Sequence, residues 1–241
     1  MNRVIYTAIF GNKEKLREPV VIPNGFDFIC FTDAAISSKH WKVVTMKPPH
    51  PHPTRAARRV KILAHEYVSQ YDQSIWIDGN LIVRDDVNSL ADRYLANNTI
   101  ALYDHRATKM DPVSNLKQEY QNLIKREKQN KIQEESTIIE KQYDFYQKEG
   151  YPDDNGMAVT MVLLRQHNNP LVKAAMLEWW NQIERFSNRD QMSFNYVMWK
   201  LSMPFEYIEG DSRDNEFFRW VPHEDVSVVI RKWHKLLKWF R

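Results

Sequence analysis

The feature that most constrains the fold is a short strand-like run, Ile75-Trp76-Ile77, in which every residue is apolar. A strand with one face in water alternates apolar and polar residues, whereas a run without alternation is typical of a strand covered on both faces. Similar strand-like runs occur elsewhere, and in the first half of the chain they alternate with helical patterns. They span residues 4–11, 26–33, 41–46, 99–105 and 158–165. The sequence therefore predicts an α/β fold with a mainly parallel sheet flanked by helices.

The tripeptide that follows this run, Asp78-Gly79-Asn80, allows two interpretations. Asp-Gly between apolar runs is a leading indication of a β-hairpin tip, with Leu81-Ile82-Val83 as the return strand. Alternatively, Asp78 is the first polar residue beyond the carboxyl end of a core strand, which is where parallel sheets bind ligands. A short return strand is compatible with both interpretations, so they do not exclude each other.

Length and composition limit the class of protein. The 241 residues are 43% hydrophobic and 27% charged, as in an ordinary soluble globular protein, and the net charge is only +3. This balance predicts no nucleic-acid partner, although RNA binding by the basic segment 54–61 and the basic tail is a rival hypothesis. Cys30, the single cysteine, lies in an apolar run, which fits a reducing, cytoplasmic setting. No stretch has the length of a membrane span.

The chain shows no internal repeat and no flexible linker, so we expect one domain over residues 1–225. Residues 111–150 are dominated by Lys, Glu and Gln, which predicts an exposed helical insertion. Residues 226–241 place Trp233 and Phe240 on one helical face, with basic residues on other faces. Such a helix suits an anionic membrane surface; packing on the protein's own core or on a second subunit is the alternative.

Oxygen-bearing and cationic side chains are concentrated around the same predicted strand. Asp78 and Asn80 offer two oxygen ligands with Gly79 between them, and hard cations such as Mg²⁺ and Mn²⁺ prefer such ligands. The preceding helix, predicted from Thr54 onwards, carries basic residues on one broad face: Arg55, Arg58 and Lys61. Arginine forks suit phosphate oxygens, whereas a solvated basic face is the alternative. The sequence thus predicts a site for a divalent metal and a diphosphate.

A third polar cluster lies at the start of a later predicted helix. Arg189, Asp190 and Gln191 form a denser polar group than a helix cap requires. An acidic residue in the first turn of a helix is also stabilised by the helix dipole without any function. The histidines His105 and His223 are weaker indications, because a lone histidine is more often structural or exposed than a ligand.

Taken together, these segments resemble a glycosyltransferase-like family of plants and bacteria, long catalogued as a domain of unknown function and related to GT-A glycosyltransferases. The resemblance rests on "YTAIFG" near the start, "TRAARRVKILAHEYVSQYDQSIWIDGNLIV", "VLLRQHNNP" and "RDQMSFNYVMWKL". It covers nearly the whole chain up to residue 201 and keeps the order of the motifs. It implies a GT-A-like (Rossmann-like) domain, a nucleotide-sugar donor and a glycan or lipid-linked acceptor.

The resemblance also implies roles for individual residues. The nucleoside would be bound by Thr7, Ala8, Ile9 and Asp33. The diphosphate would be held by Arg55, Arg58 and Lys61. The Mn²⁺ or Mg²⁺ motif would comprise Asp78 and Asn80 around Gly79, with His223 as a further ligand. The acceptor would contact His105 and Asn155, and the catalytic group would be Asp190, Arg189 and Gln191.

We therefore expect an enzyme that transfers a sugar to a hydroxyl of a surface polysaccharide or glycolipid, with a metal assisting departure of the diphosphate. If the reaction inverts the anomeric centre, Asp190 would be the base; if it retains configuration, Asp190 would orient or stabilise an oxocarbenium-like centre. The alternative is a catalytically silent subunit that binds nucleotides or glycans, because fold does not guarantee activity. We expect a location in the cytoplasm or on the inner face of the membrane.

Overall fold

The computed structural model describes residues 1–129 and 136–222. The strands, in chain order, are β1 (Arg3–Ile9), β2 (Phe26–Thr32), β3 (Lys42–Thr45), β4 (Gln73–Ile77), β5 (Leu81–Val83), β6 (Ile100–Asp104), β7 (Ala158–Arg165), β8 (Glu206–Ile208) and β9 (Phe218–Trp220). The α-helices are α1 (Pro53–Ile62), α2 (Ala64–Tyr67), α3 (Asn88–Leu95), α4 (Leu116–Lys128), α5 (Ser136–Lys148), α6 (Pro170–Arg185) and α7 (Asp190–Lys200). A short 3₁₀ helix spans His105–Ala107.

The central sheet has seven strands in the order β3-β2-β1-β4-β7-β6-β8. The first four strands in this order run parallel to their neighbours, as do β6 and β8, whereas β7 is antiparallel to both β4 and β6. Helices flank the sheet, so the prediction of an α/β fold with a mainly parallel sheet is confirmed. Tyr6 lies opposite Trp76 in the β1–β4 pair, and the carboxyl ends of these two strands therefore meet at one edge.

The two faces of β4 contact different parts of the core. Trp76 belongs to a cluster that includes Val60 of α1, whereas Ile75 belongs to a second cluster that includes Leu90 of α3. Every residue of β4 is buried. A strand enclosed on both sides has no solvent-facing position, which explains why this run of the sequence does not alternate.

The strand that follows Asp78 does not return along β4. β5 pairs instead with β9 in antiparallel fashion, with Leu81 opposite Trp220. The backbone N–H of Leu81 donates to the carbonyl oxygen of Asp78 (2.9 Å), so the chain turns here and leaves the central sheet. Asp78 therefore lies beyond the carboxyl end of a core strand, and the interpretation of Asp78-Gly79 as the tip of a hairpin formed by β4 and β5 is wrong.

A buried arginine holds the carboxyl end of α1. Arg165 of β7 is fully buried, and its guanidinium donates to the carbonyl oxygens of Lys61 (2.6 Å) and Ile62 (2.9 Å). The hydroxyl of Tyr6 also donates to the Lys61 carbonyl oxygen (2.8 Å). Cations are favourable at the carboxyl terminus of a helix. These bonds join the last turn of α1 to β1 and β7, and they fix the backbone from which the Lys61 side chain extends.

The charged segment 111–150 contains α4 and α5, which contact each other, and α4 also contacts α7. Its apolar residues are part of the core, as Leu123 and Ile139 show. Residues 226–241, for which the sequence predicts a basic amphipathic helix, lie outside the described residues. Within the ranges that the structure describes, no helix combines the length and apolar character needed to cross a membrane.

Candidate active site

A cavity of about 750 Å³ opens where β1 and β4 end and α1 begins. Its walls come from the end of β1 and the following loop, from α1, and from the turn after β4; they include Ile9, Glu14, Ala57, Arg58, Asp78 and Asn80. This is the edge of a parallel sheet at which α/β proteins bind ligands. We name it the donor cavity, after the nucleotide-sugar donor that the resemblance in the sequence leads us to expect.

Asp78 lies in the wall of the donor cavity in front of several polar groups. Its backbone N–H donates to the carbonyl oxygen of Met161 (2.9 Å), which anchors it to the end of the sheet. Its Oδ1 accepts hydrogen bonds from the indole N–H of Trp76 (2.8 Å) and from Nζ of Lys61 (3.5 Å). The same oxygen lies 3.7 Å from Nη1 of Arg58, which also lines the cavity. A carboxylate and a guanidinium therefore stand side by side in one wall.

Asp190, the first residue of α7, is buried behind this wall and only 3% exposed. Its Oδ2 accepts hydrogen bonds from Nζ of Lys61 (2.5 Å) and Oγ1 of Thr160 (2.9 Å), and its Oδ1 lies 3.2 Å from Nε of Arg58. Burial alone would raise the pKa of Asp190, but the two cations and the hydroxyl outweigh it and lower the pKa to about 2. An ionised carboxylate held this firmly is a weak proton acceptor, which disfavours the predicted role of Asp190 as general base.

Two carboxylates and two cations thus form what we name the charged cluster: Asp78, Asp190, Arg58 and Lys61. Burial lowers the pKa of Lys61 and outweighs the opposing effect of the two carboxylates. For Arg58 burial opposes the charge, but the carboxylates prevail and its pKa is raised. The Lys61 side chain is 0% exposed and does not line the donor cavity, so the predicted direct contact between Lys61 and a diphosphate is not available in this structure.

Arg55, the third basic residue predicted to hold a diphosphate, is directed to another helix. Its guanidinium donates to the carbonyl oxygen of Phe186 (2.8 Å) and to that of Ile183. Ile183 belongs to the last turn of α6, so Arg55 joins α1 to the carboxyl end of α6. Helical periodicity correctly placed basic residues on one broad face of α1, but it could not show that α6 ends over the part of that face occupied by Arg55.

The residues predicted to bind the nucleoside divide into two groups. Ala8 and Ile9 line the donor cavity, whereas Thr7 is 1% exposed inside β1 and does not. Both carboxylate oxygens of Asp33 accept the backbone N–H of Gly11, at 3.0 and 3.2 Å. Gly11 has a φ of +65°, a conformation that glycine adopts readily. Asp33 therefore holds the loop after β1, which forms part of the cavity wall, and does not itself line the cavity.

Oxygen donors of the kind that hard cations prefer lie on the cavity side of the charged cluster. The hydrogen bonds that the described residues donate to the Asp78 carboxylate both go to Oδ1, and the ion pair with Arg58 also involves this oxygen, which leaves Oδ2 for a ligand. Asn80 lines the same wall and is 4% exposed. A carboxylate and an amide oxygen fit Mg²⁺ or Mn²⁺, which complete their shells with water and substrate oxygens. In the described part of the chain, no three His, Cys, Asp or Glu residues gather into a metal site.

The turn at Gly79 closes against the loop that follows β1. A Cβ atom at Gly79 would lie 3.3 Å from Cγ1 of Ile9 and 3.4 Å from Cβ of Glu14, so the turn packs directly against the end of β1 and the loop after it. The backbone N–H of Val221 donates to the carbonyl oxygen of Asn80 (2.9 Å), which brings the end of the described chain to the same turn. His223, predicted as a further metal ligand, follows two positions later and lies outside the described residues.

The structure does not bring the remaining predicted residues into the wall of the donor cavity; they are Arg189, Gln191, His105 and Asn155. The backbone N–H of Arg189 donates to the hydroxyl of Ser187 (3.0 Å) at the start of α7. Nδ1 of His105 accepts a backbone N–H from the loop before α4 (3.2 Å), and the Asn155 amide donates to a tyrosine hydroxyl (3.3 Å). Nε2 of Gln191 is buried and has no hydrogen-bond partner within the described residues.

Sequence reasoning missed three residues that the structure places at or behind the cavity wall, namely Trp76, Glu14 and Thr160. Trp76 precedes Asp78 by two positions, and this spacing along a strand puts both side chains on one face. That relation was readable from the sequence. Glu14 comes from an irregular loop and Thr160 from β7, whose place beside β4 depends on long-range pairing.

A family model described as "TOD1/MUCI70, glycosyltransferase-like domain" matches residues 1–218 of the chain. The chain is also 27% identical over 174 residues to the "Probable hexosyltransferase MUCI70" of Arabidopsis thaliana. That alignment covers 67% of this chain but only 28% of the plant protein.

Among solved structures, the chain is similar to mouse xyloside xylosyltransferase 1, with a TM-score of 0.46, 11% identity, and coverage of 86% of this chain and 84% of that chain. The bifunctional glycosyltransferase WbbM and the glycosyltransferase GlyE of Streptococcus pneumoniae each match with a TM-score of 0.45 and 11% identity. Each covers 86% of this chain, and the matches cover 38% and 45% of those two chains respectively. The family model, which spans most of the sequence, confirms the resemblance seen in the motifs: the chain belongs to the TOD1/MUCI70 glycosyltransferase-like domain family.

Proposed function

We propose that this chain binds a nucleoside-diphosphate sugar in the donor cavity and transfers the sugar to a hydroxyl group of a glycan acceptor. Membership of a glycosyltransferase-like family supports the class of reaction. The observation that carries the proposal is the pairing of Arg58 with Asp78 in one cavity wall, 3.7 Å apart. A volume of about 750 Å³ suits a ligand of this size.

Arg58 is placed to hold the diphosphate. Its side chain is 21% exposed, lines the donor cavity and is oriented from behind by Asp190. A guanidinium can donate two parallel hydrogen bonds to phosphate oxygens. α1 starts at Pro53 with no acidic residue in its first turn, so the positive end of the helix also favours an anion. Negative charge grows on the diphosphate as the sugar departs, and Arg58 would stabilise that charge.

Asp78 and Asn80 would hold a divalent cation, Mn²⁺ or Mg²⁺, and we retain His223 as a proposed third ligand. Such a cation, when bound, supplies positive charge to the departing diphosphate. Because the Asn80 amide is neutral, we expect weaker metal binding than a pair of carboxylates would give. Metal binding should then depend more strongly on the phosphate oxygens of the donor.

Asp190 acts in this proposal as a fixed counter-charge. It accepts from Lys61 and pairs with Arg58, so it neutralises buried positive charge and sets the direction of the Arg58 guanidinium. Removing either carboxylate of the charged cluster would leave cations that repel each other. Arg189 and Gln191 flank Asp190 at the start of α7. In this proposal they would contribute to catalysis by helping to hold Asp190 in position.

For the acceptor we propose a surface polysaccharide or a lipid-linked glycan, met in the cytoplasm or at the inner face of the membrane. The basic amphipathic pattern of residues 226–241 supports contact with an anionic membrane surface. His105 and Asn155 stay predicted acceptor contacts, as the resemblance implies.

A thermal-shift panel tests the proposal. We expect one or more of UDP-, GDP-, ADP- and CMP-sugars to raise the melting temperature, and Mn²⁺ to increase that rise. A donor at about one hundred times its Kd stabilises the folded state by roughly 2.7 kcal/mol. Asp78→Ala should remove the Mn²⁺-dependent part of the shift, because the metal loses its carboxylate ligand.

The control for this panel is Asp85→Ala, which removes an exposed aspartate outside the donor cavity and should respond like the unmodified protein. A complete absence of stabilisation by every donor would contradict the proposed function. An Asp78→Ala protein with an unchanged Mn²⁺ response would contradict the metal assignment alone.

A catalytically silent binding subunit is a second candidate, and the neutral amide of Asn80 in place of a carboxylate is the observation that favours it. Both candidates predict donor binding. They differ in turnover: a transferase releases nucleoside diphosphate when acceptor or water takes the sugar, whereas a silent subunit returns the donor intact.

A further inference from the structure

The two oxygens of the Asp78 carboxylate have different surroundings. Oδ1 meets the indole N–H of Trp76 at 2.8 Å, Nζ of Lys61 at 3.5 Å and Nη1 of Arg58 at 3.7 Å. The described residues make no hydrogen bond with Oδ2, on a side chain that is 22% exposed at the cavity wall. One oxygen is therefore held by the protein while the other is left for a ligand.

The contact with Trp76 is the shortest of the three, and it comes from the most rigid donor. Trp76 is 1% exposed within β4, and its ring packs edge-on against Tyr6, with centroids 5.2 Å apart. The ammonium of Lys61 lies 5.7 Å from the centre of the indole ring. An indole enclosed in this way has little room to change its rotamer, and it carries a single N–H donor.

The two cations hold Asp78 less directly. Lys61 makes its shorter contact with Asp190, at 2.5 Å, and Arg58 also lies closer to Asp190, at 3.2 Å, than to Asp78. Both have long, flexible side chains. Strand geometry, in contrast, places residues two positions apart on the same face, so the backbone itself brings the side chains of Trp76 and Asp78 together.

We infer that Trp76 is a positioning residue for the proposed donor site: its indole N–H fixes Oδ1 of Asp78, so that Oδ2 is presented to the cation and diphosphate in the donor cavity. This inference rests on the proposed function. A carboxylate fixed in this orientation loses less conformational freedom when it binds a ligand, and affinity rises accordingly. Removing the N–H while keeping an aromatic ring would let the carboxylate rotate away.

Trp76→Phe tests the inference. Mn²⁺ is titrated calorimetrically in the presence of UDP, GDP, ADP and CDP in turn. We expect the affinity for Mn²⁺ with the preferred nucleotide to fall roughly tenfold, the effect typical of a lost hydrogen bond to a charged group. In an Asp78→Ala background, which removes the acceptor of the indole N–H, the same substitution should have no further effect, because the two residues act as one unit.

Trp41→Phe is the matched control. Trp41 is also buried, and its indole N–H donates at 2.9 Å to the carbonyl oxygen of Arg17, outside the charged cluster. It should leave Mn²⁺ binding unchanged. Equal affinity in Trp76→Phe and the unmodified protein would overturn the inference, as would an equal loss from Trp76→Phe in the Asp78→Ala background.

A second measurement needs no change at Trp76. In a ¹⁵N-labelled protein the indole N–H signal of Trp76 should move and exchange faster with solvent in Asp78→Ala, which removes its acceptor, whereas the Trp41 signal should not. An unchanged Trp76 signal would overturn the inference even if Trp76→Phe fails to fold. Absence of nucleotide binding by the unmodified protein would contradict the proposed function instead, and the indole measurement would still test the Trp76–Asp78 contact.

Discussion

Replacing Lys61 with methionine is expected to lower the free energy of unfolding by about 3–5 kcal/mol, because it leaves a buried carboxylate without its closest cation. The Lys61 side chain is 0% exposed, and its ammonium lies 2.5 Å from Oδ2 of Asp190 and 3.5 Å from Oδ1 of Asp78. Methionine fills similar space but cannot donate. Equilibrium unfolding in urea at neutral pH, followed by fluorescence, measures the difference.

Lys141→Met is the matched control, since Lys141 lies on the exposed face of α5 and should cost less than about 0.5 kcal/mol. Adding Asp190→Asn to Lys61→Met should recover part of the loss, because the excess negative charge in the cluster is then removed. A Lys61→Met protein as stable as the unmodified chain would mean that the charged cluster does not exist as described.

Replacing Arg58 with methionine is expected to weaken binding of a nucleoside diphosphate by roughly tenfold to one hundredfold, the range for a lost hydrogen bond between charged groups. Of the two cations in the charged cluster, Arg58 is the one that lines the donor cavity. Isothermal titration with UDP, GDP, ADP and CDP, each with and without Mn²⁺, measures the change. The weakening should persist without the metal, because the guanidinium acts on phosphate oxygens directly.

Arg55→Met provides a control from the same helix, three residues earlier. Its guanidinium is occupied by carbonyl oxygens of Ile183 and Phe186, so the substitution should lower stability but leave nucleotide affinity unchanged. Equal losses of affinity in the two variants would show that the whole basic face of α1 contributes. An unchanged affinity in Arg58→Met would remove Arg58 from the donor site.

The part of the fold that follows from local pattern was predictable from the sequence. The absence of alternation in Ile75-Trp76-Ile77 indicated a strand covered on both faces, and β4 has that position. The same pattern placed Asp78 at the carboxyl end of a core strand. The partner of β5 was not predictable in this way, because β9 lies far away along the chain and its pairing is set by tertiary structure.

The candidate site, like the fold, was predictable from the sequence only where local pattern determines it. Helical spacing put Arg55, Arg58 and Lys61 on one face of α1, but the contacts of each side chain with α6 and α7 decide which of them lines the donor cavity. Asp190 belongs to α7, and it reaches this face of α1 only through the tertiary structure. The low pKa of Asp190, which disfavours a role as general base, could not be predicted for a related reason: it comes from cations that lie far away in the sequence.

A crystal structure of the protein grown with Mn²⁺ and its preferred nucleoside diphosphate would show directly where the ligand binds. We predict that the diphosphate lies in the donor cavity, with phosphate oxygens in hydrogen-bond reach of the Arg58 guanidinium and the metal bound to Oδ2 of Asp78 and the amide oxygen of Asn80. A nucleotide bound elsewhere, or a diphosphate that reaches neither Arg58 nor the metal at Asp78, would contradict the placement of the donor site.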